Sequence, residues 1–263
     1  MSYFPSKEEF LKLSRKGTLI PVYKEILADV DTPVSAYFKL TKGSTKPTEY
    51  SFLLESVEGQ EKIARYSFLA KDPELVIRSK GKKLEISYLK NGERRTETRR
   101  ITDTPLSHIR EIMSQYKFVN IPGLPRFCGG LVGYFGYDVV RFFERLPGGP
   151  TDDLKLPDVL FVLAKDLVIF DHINHKMQVV SSIQINPTAS AGQQEAAYRR
   201  ATKQIDKTVA EITKPLTMGN NKPRRKFASI GIQSNFTPAE FEGIVQEAKK
   251  KIRAMRRPMA TMR

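Results

Sequence analysis

Cysteine occurs once in these 263 residues, at Cys128, which rules out an intramolecular disulfide framework and makes the reducing cytoplasm the expected setting. Histidine is almost as scarce, with three residues. His172 and His175 stand three apart, but no Cys, further His or suitably spaced carboxylate completes a ligand set, so 171–175 reads as a turn and no metal is expected there. Long apolar runs are also missing. The longest, 159–164 and 167–170, are split by Lys165 and Asp166 and fall far short of the ~20 residues of a membrane span. The opening Met1-Ser2-Tyr3-Phe4-Pro5 has neither a cationic leader nor a long apolar core, so no secretory signal is expected. Gly129, Gly130, Gly133 and Gly136 lack the Lys-Ser/Thr ending of a phosphate-binding loop and the spacing of a dinucleotide fingerprint. No nucleophile elbow, definable pair of catalytic carboxylates or internal repeat is present, so no catalytic residue is assigned.

What is abundant is positive charge, +15 net. Residues 222–263 hold eleven Lys or Arg against Glu240, Glu242 and Glu247, which places +8 of that total in the last sixth of the chain. A second basic group, Arg94, Arg95, Arg99 and Arg100, is interleaved with Glu93 and Glu97. Dispersed and interleaved charge of this kind reads as the solvated face of a basic protein, and no nucleic-acid partner is expected. Apolar residues make up 40% of the chain, enough at this length for a sizeable core in one large or two small domains.

Local signals mark the elements. Ser6 and Glu9 form a capping-box pattern, predicting a helix to about Arg15 that stops at Gly17. Segments 19–23 and 34–40 read as strands and 43–47 as a polar loop. Residues 83–89 alternate apolar and polar before Asn91-Gly92, a hairpin signal. Leu106, Ile109, Ile112 and Met113 fall on one helical face, and His108 in the same stretch reads as a surface or hydrogen-bonded histidine. Residues 159–180 read as two hydrophobic strands around the 171–175 turn, 189–213 as a polar helix, and 215–226 as a Gly/Asn/Pro-containing basic linker. Thr237-Pro238-Ala239-Glu240 opens a last amphipathic helix carrying Phe241, Ile244, Val245, Ala248 and Ile252. The closely spaced glycines at 129–136, set among Leu, Val, Tyr and Phe, predict a strand that bends or meets another backbone closely.

The most informative stretch is 50–70. Ser51-Phe52-Leu53-Leu54-Glu55 reads as a short buried strand ending in a carboxylate and the Ser56 hydroxyl, followed by the basic, aromatic Arg65-Tyr66-Ser67-Phe68-Leu69. Glu55 and Ser56 stand where they could hold the ammonium group of an amino acid, though a solvated turn at a strand end fits the same residues. This stretch resembles the feedback-inhibitor motif of the anthranilate synthase component I family. Three further segments resemble that family in the same order: the opening 28–39, where a strand is expected after Thr32-Pro33; the glycine cluster 128–147; and the strand region 153–180 with Asp166 and Asp171-His172. Together they cover roughly residues 5–254.

The resemblance implies an α/β (α+β) fold of layered, mainly antiparallel sheets with peripheral helices. It divides the chain into an N-terminal-type domain over 1–214, a linker over 215–235, and over 236–263 the first helix of a chorismate-binding domain truncated before its catalytic segment. For the intact protein it implies conversion of chorismate and ammonia to anthranilate and pyruvate, with Mg²⁺ and a glutamine amidotransferase subunit as partner. This chain alone is expected to be inactive and to carry an L-tryptophan feedback site at Glu55, Ser56 and Arg65. The related aminodeoxychorismate synthase component is the alternative, with the unbroken Leu53-Leu54-Glu55-Ser56 favouring anthranilate synthase. A non-catalytic amino-acid-binding or subunit-docking module is the alternative of a different class.

Overall fold

The structure, a computed structural model, describes residues 2–42, 50–55, 65–90, 93–149, 151–216 and 234–255. Helix ends follow the capping chemistry. Helix α1 (Lys7–Leu13) starts at Ser6, whose hydroxyl accepts from the Glu9 amide while the Glu9 carboxylate accepts from the Ser6 amide. Its Phe10 is fully buried. Helix α4 (Ala191–Ile212) repeats the device with Ser190 and Gln193, and its stripe of Ala197, Ala201, Ile205 and Ile212 is buried. Helix α3 (Pro105–Ser114) is capped by Thr104 and buries Ile109 and Ile112, while Leu106 lies at the exposed margin of the predicted face.

Among the described residues the strands form two antiparallel sheets, in agreement with the expected α+β class. The first is ordered β1 (Tyr3–Phe4), β2 (Leu19–Leu27), β11 (Lys176–Gln184), β10 (Asp166–Asp171), β4 (Tyr66–Lys71), β3 (Ser51–Leu54). The second is ordered β7 (Glu93–Arg100), β6 (Lys83–Lys90), β5 (Leu75–Lys80), β9 (Val159–Ala164), β8 (Gly130–Phe135). Each sheet has its own apolar core. Ile20, Val22, Leu69, Ile169 and Val179 of the first pack with Phe10, Ala36 and the α4 stripe. Leu75, Ile77, Leu84, Ile86 and Leu163 of the second pack with Ile109 and Ile112 of α3. The β6–β7 hairpin pairs Lys90 with Glu93 as its sequence predicts, and β7 is the sheet's edge; the Asn91-Gly92 turn lies outside the described residues.

Three expectations need correction. Residues 34–40 are helical, within α2 (Pro33–Lys42), and no strand follows Thr32-Pro33. The Thr32 amide donates to the Ser35 hydroxyl at 3.0 Å and the Ser35 amide to the Thr32 hydroxyl at 3.1 Å, proline stands first in the helix, and Ala36 and Leu40, one turn apart, are buried in the core of the first sheet. The apolar region 159–180 is three strands: β9 belongs to the second sheet and β10–β11 form a hairpin of the first, the chain changing sheets at Lys165. Strand β3 is also half-buried, because it forms an edge of its sheet and pairs with β4 alone.

The glycine expectation holds at the β8–β9 ladder. A Cβ on Gly133 would lie 1.9 Å from the Leu160 carbonyl oxygen, so only glycine lets β8 approach β9 there. Gly129, at φ +155°, turns the chain into β8. Residues 1–216 make up one compact unit and 217–263 another. The second contains α5 (Pro238–Met255), with a capping box between Thr237 and Glu240 and with Phe241, Ile244 and Ile252 exposed.

Candidate functional site

The polar chemistry of the first sheet gathers where β3 ends, β4 begins and β10 turns into β11. Antiparallel pairing sets Leu54 against Phe68 and Tyr66 against Asp171, so Glu55, Arg65 and Asp171 come to the same end of adjacent strands. Glu55 follows the last β3 residue and is exposed. Ser56 lies outside the described residues.

Arg65 is held firmly. Its Nε and Nη2 donate to Asp171 Oδ1 and Oδ2 at 3.1 and 2.7 Å, the two-pronged geometry that suits guanidinium and carboxylate. The guanidinium carbon also lies 4.8 Å from the centre of the Tyr66 ring. The Asp171 carboxylate accepts in addition from the Ile173 and Asn174 amides, at 3.1 and 3.3 Å, and from Asn174 Nδ2 at 2.8 Å. Burial works against its charge, yet Arg65, Asn174 and Ile173 together more than offset that and hold its pKa down to about 2. The Asp171 bond raises the pKa of Arg65 in turn. Asp171 is therefore an anion, and Arg65 a cation, across the physiological range.

The 171–175 segment is the predicted turn, but a more specific one than its composition suggests. Asp171 caps it by accepting from the two backbone amides, His175 takes a positive φ of 49°, and His172 Nε2 lies 2.8 Å from the hydroxyl of buried Ser67. Sequence reasoning placed Arg65 in a site but missed Asp171 and Asn174 as what positions it. The signal was present: an aspartate at the start of a turn with asparagine three residues on, following an apolar strand. Cys128 is buried, and burial pushes its thiol up to about 11, which makes it inert as a nucleophile near neutral pH.

A sequence profile of the family described as chorismate binding enzyme matches residues 49–256. Anthranilate synthase component 1 of Acetivibrio thermocellus is 35% identical over 255 residues, covering 95% of this chain and 49% of its own length. The protein of the same name from Aquifex aeolicus is 36% identical over 247 residues, covering 94% and 47%. Among solved structures, anthranilate synthase component I of Streptococcus pneumoniae superposes with a TM-score of 0.50 at 25% identity, over 87% of this chain and 45% of that one. The chain thus spans about half the length of the curated relatives it matches.

Proposed function

The chain belongs to the chorismate-binding enzyme family, and from that premise we propose that it is the N-terminal part of an anthranilate synthase component I. The observation that carries the reading is agreement in order and extent: relatives bearing that name match 95% of the chain at 35–36% identity. The intact protein would convert chorismate and ammonia to anthranilate and pyruvate in the cytoplasm, ammonia coming from a glutamine amidotransferase subunit. The chain's own contribution would be regulatory, an L-tryptophan site at the end of β3 and β4.

In that site Glu55 would accept the ligand's ammonium and the Ser56 hydroxyl would assist it. Arg65 is pinned to Asp171 through Nε and one Nη, which leaves its other N–H groups free of that pair to meet the ligand's carboxylate. The geometry supporting this is the common strand end of Glu55 and Arg65 and the rigidity Asp171 confers. Among the described residues no three His, Cys, Asp or Glu converge as metal ligands, so none of them is offered as a holder of the Mg²⁺ that the intact reaction would use. No step is assigned through it. Nor does any described helix have the length and apolarity to cross a membrane.

Fluorescence detection of anthranilate tests the reading. The chain continued with the remaining half of the Acetivibrio thermocellus relative should form anthranilate from chorismate, ammonium and Mg²⁺, and the 263-residue chain alone should form none. A folded fusion that yields aminodeoxychorismate instead, or a chain that is active alone, would overturn it.

A further inference from the structure

The edge of the first sheet opposite β3 carries a second feature, which the regulatory reading does not use. There β1, helix α1 and the segment 120–122 bound a cleft of about 380 Å³, within the range of small-molecule sites. Helical spacing builds one wall: Glu9, Lys12, Leu13 and Lys16 stand at i, i+3, i+4 and i+7, so they share one face of α1 and of the turn after it, where the Lys16 amide donates to the Leu13 carbonyl at 2.9 Å. Phe4, Pro5 and residues 120–122 form the other. That wall is tied to β2: the Val119 amide donates to the Leu19 carbonyl at 2.9 Å, the Tyr23 hydroxyl donates to the Pro122 carbonyl at 3.3 Å, and the Phe4 ring stacks on Tyr23 with centres 5.4 Å apart.

The lining joins open apolar surface to uncommitted positive charge. Phe4 and Pro122 are exposed and Leu13 is half-buried, so each keeps surface for a ligand. Of the three charged residues, Glu9 is engaged in the capping box, its carboxylate accepting from the Ser6 amide at 2.9 Å. Lys12 and Lys16 are exposed, and among the described residues their ammonium groups make no ion pair or hydrogen bond. Two like charges one helical turn apart repel each other, and an anion seated between them removes that repulsion. Burying the anion's apolar part beside them adds what a bare pair of surface cations lacks.

We propose that this cleft binds a small aromatic carboxylate, the carboxylate held between Lys12 and Lys16 and the ring lying against Phe4, Leu13 and Pro122. The site does not depend on the tryptophan reading, since none of Glu55, Arg65 and Asp171 lines it. Titration calorimetry of the 263-residue chain at pH 7 and low salt tests the proposal with naphthoate, with naphthalenemethanol as its uncharged equivalent, and with acetate as a carboxylate without a ring. Naphthoate should bind saturably and at least about tenfold more tightly than either of the others. Replacing both cations, Lys12→Gln with Lys16→Gln, should weaken it by about tenfold or more while circular dichroism stays unchanged. The pair Lys249→Gln with Lys251→Gln removes the same charge from α5 and should change naphthoate affinity by less than about twofold. No saturable naphthoate binding, equal affinity for naphthoate and either comparison probe, or unchanged binding without Lys12 and Lys16 would overturn the proposal. So would an equal loss in the two double variants, which would show attraction to net charge alone.

Discussion

Asp171 gathers one guanidinium, two backbone amides and a side-chain amide on a carboxylate whose side chain is 9% exposed. Its folded pKa of about 2 lies below the ordinary carboxyl value of ~3.9, so its contribution to stability is present above pH ~4 and is lost as pH falls toward 2. A shift of that size corresponds to about 2 kcal/mol. Asp171→Asn should therefore lower urea-unfolding stability by about 2 kcal/mol at pH 6, with the gap from wild type narrowing below pH 4. A gap that stays constant down to pH 2.5 would show that the loss comes from packing and not from charge. At this scale the strand end that Glu55 follows was legible in the sequence, because a strand ending in charge leaves a local trace. The partnership of Arg65 with Asp171 was not, because it joins residues 106 apart through strand pairing that neither segment encodes alone.

Elements were legible where capping chemistry and periodicity agreed, as in α1, α3, α4 and the β6–β7 hairpin. Helix α2 misled because Val34, Tyr37 and Phe38 favour strands, and that weak preference was overridden by Thr32 and Pro33 at the helix start and by burial of Ala36 and Leu40. Thr32→Ala should accordingly cost about 1 kcal/mol in chemical denaturation. The region 159–180 misled because apolar runs show burial without showing which sheet buries them. The glycine requirement gives a paired test. Gly133→Val should destabilise by roughly 1–3 kcal/mol or prevent folding, since the added atoms meet the Leu160 backbone. Gly192→Ala, in α4 with open space around it, should leave the melting temperature unchanged or raise it by stabilising about 0.5–1 kcal/mol. Equal effects of the two substitutions would contradict the close approach of β8 and β9.

At the scale of the molecule, both apolar cores and both sheets lie within residues 1–216, while α5 belongs to a separate unit and exposes Phe241, Ile244 and Ile252. A chain ending at residue 216 should fold with the same near-ultraviolet dichroism and resist proteolysis at least as well as the whole. Loss of that signal would make the second unit integral to the first. The layered antiparallel architecture followed from the family resemblance and not from composition, since alternation along a strand fixes neither neighbour order nor layer count. The central proposal, that the end of β3 and β4 would sense L-tryptophan in a chorismate-using enzyme, is tested most directly by inhibition. In the fusion with the remaining half of the Acetivibrio thermocellus relative, L-tryptophan should inhibit anthranilate formation. Glu55→Ala should leave that formation intact while raising the inhibitory concentration by at least about 30-fold, the effect of removing a charged partner worth 2 kcal/mol or more. Wild-type inhibition retained by the Glu55→Ala fusion would contradict the account.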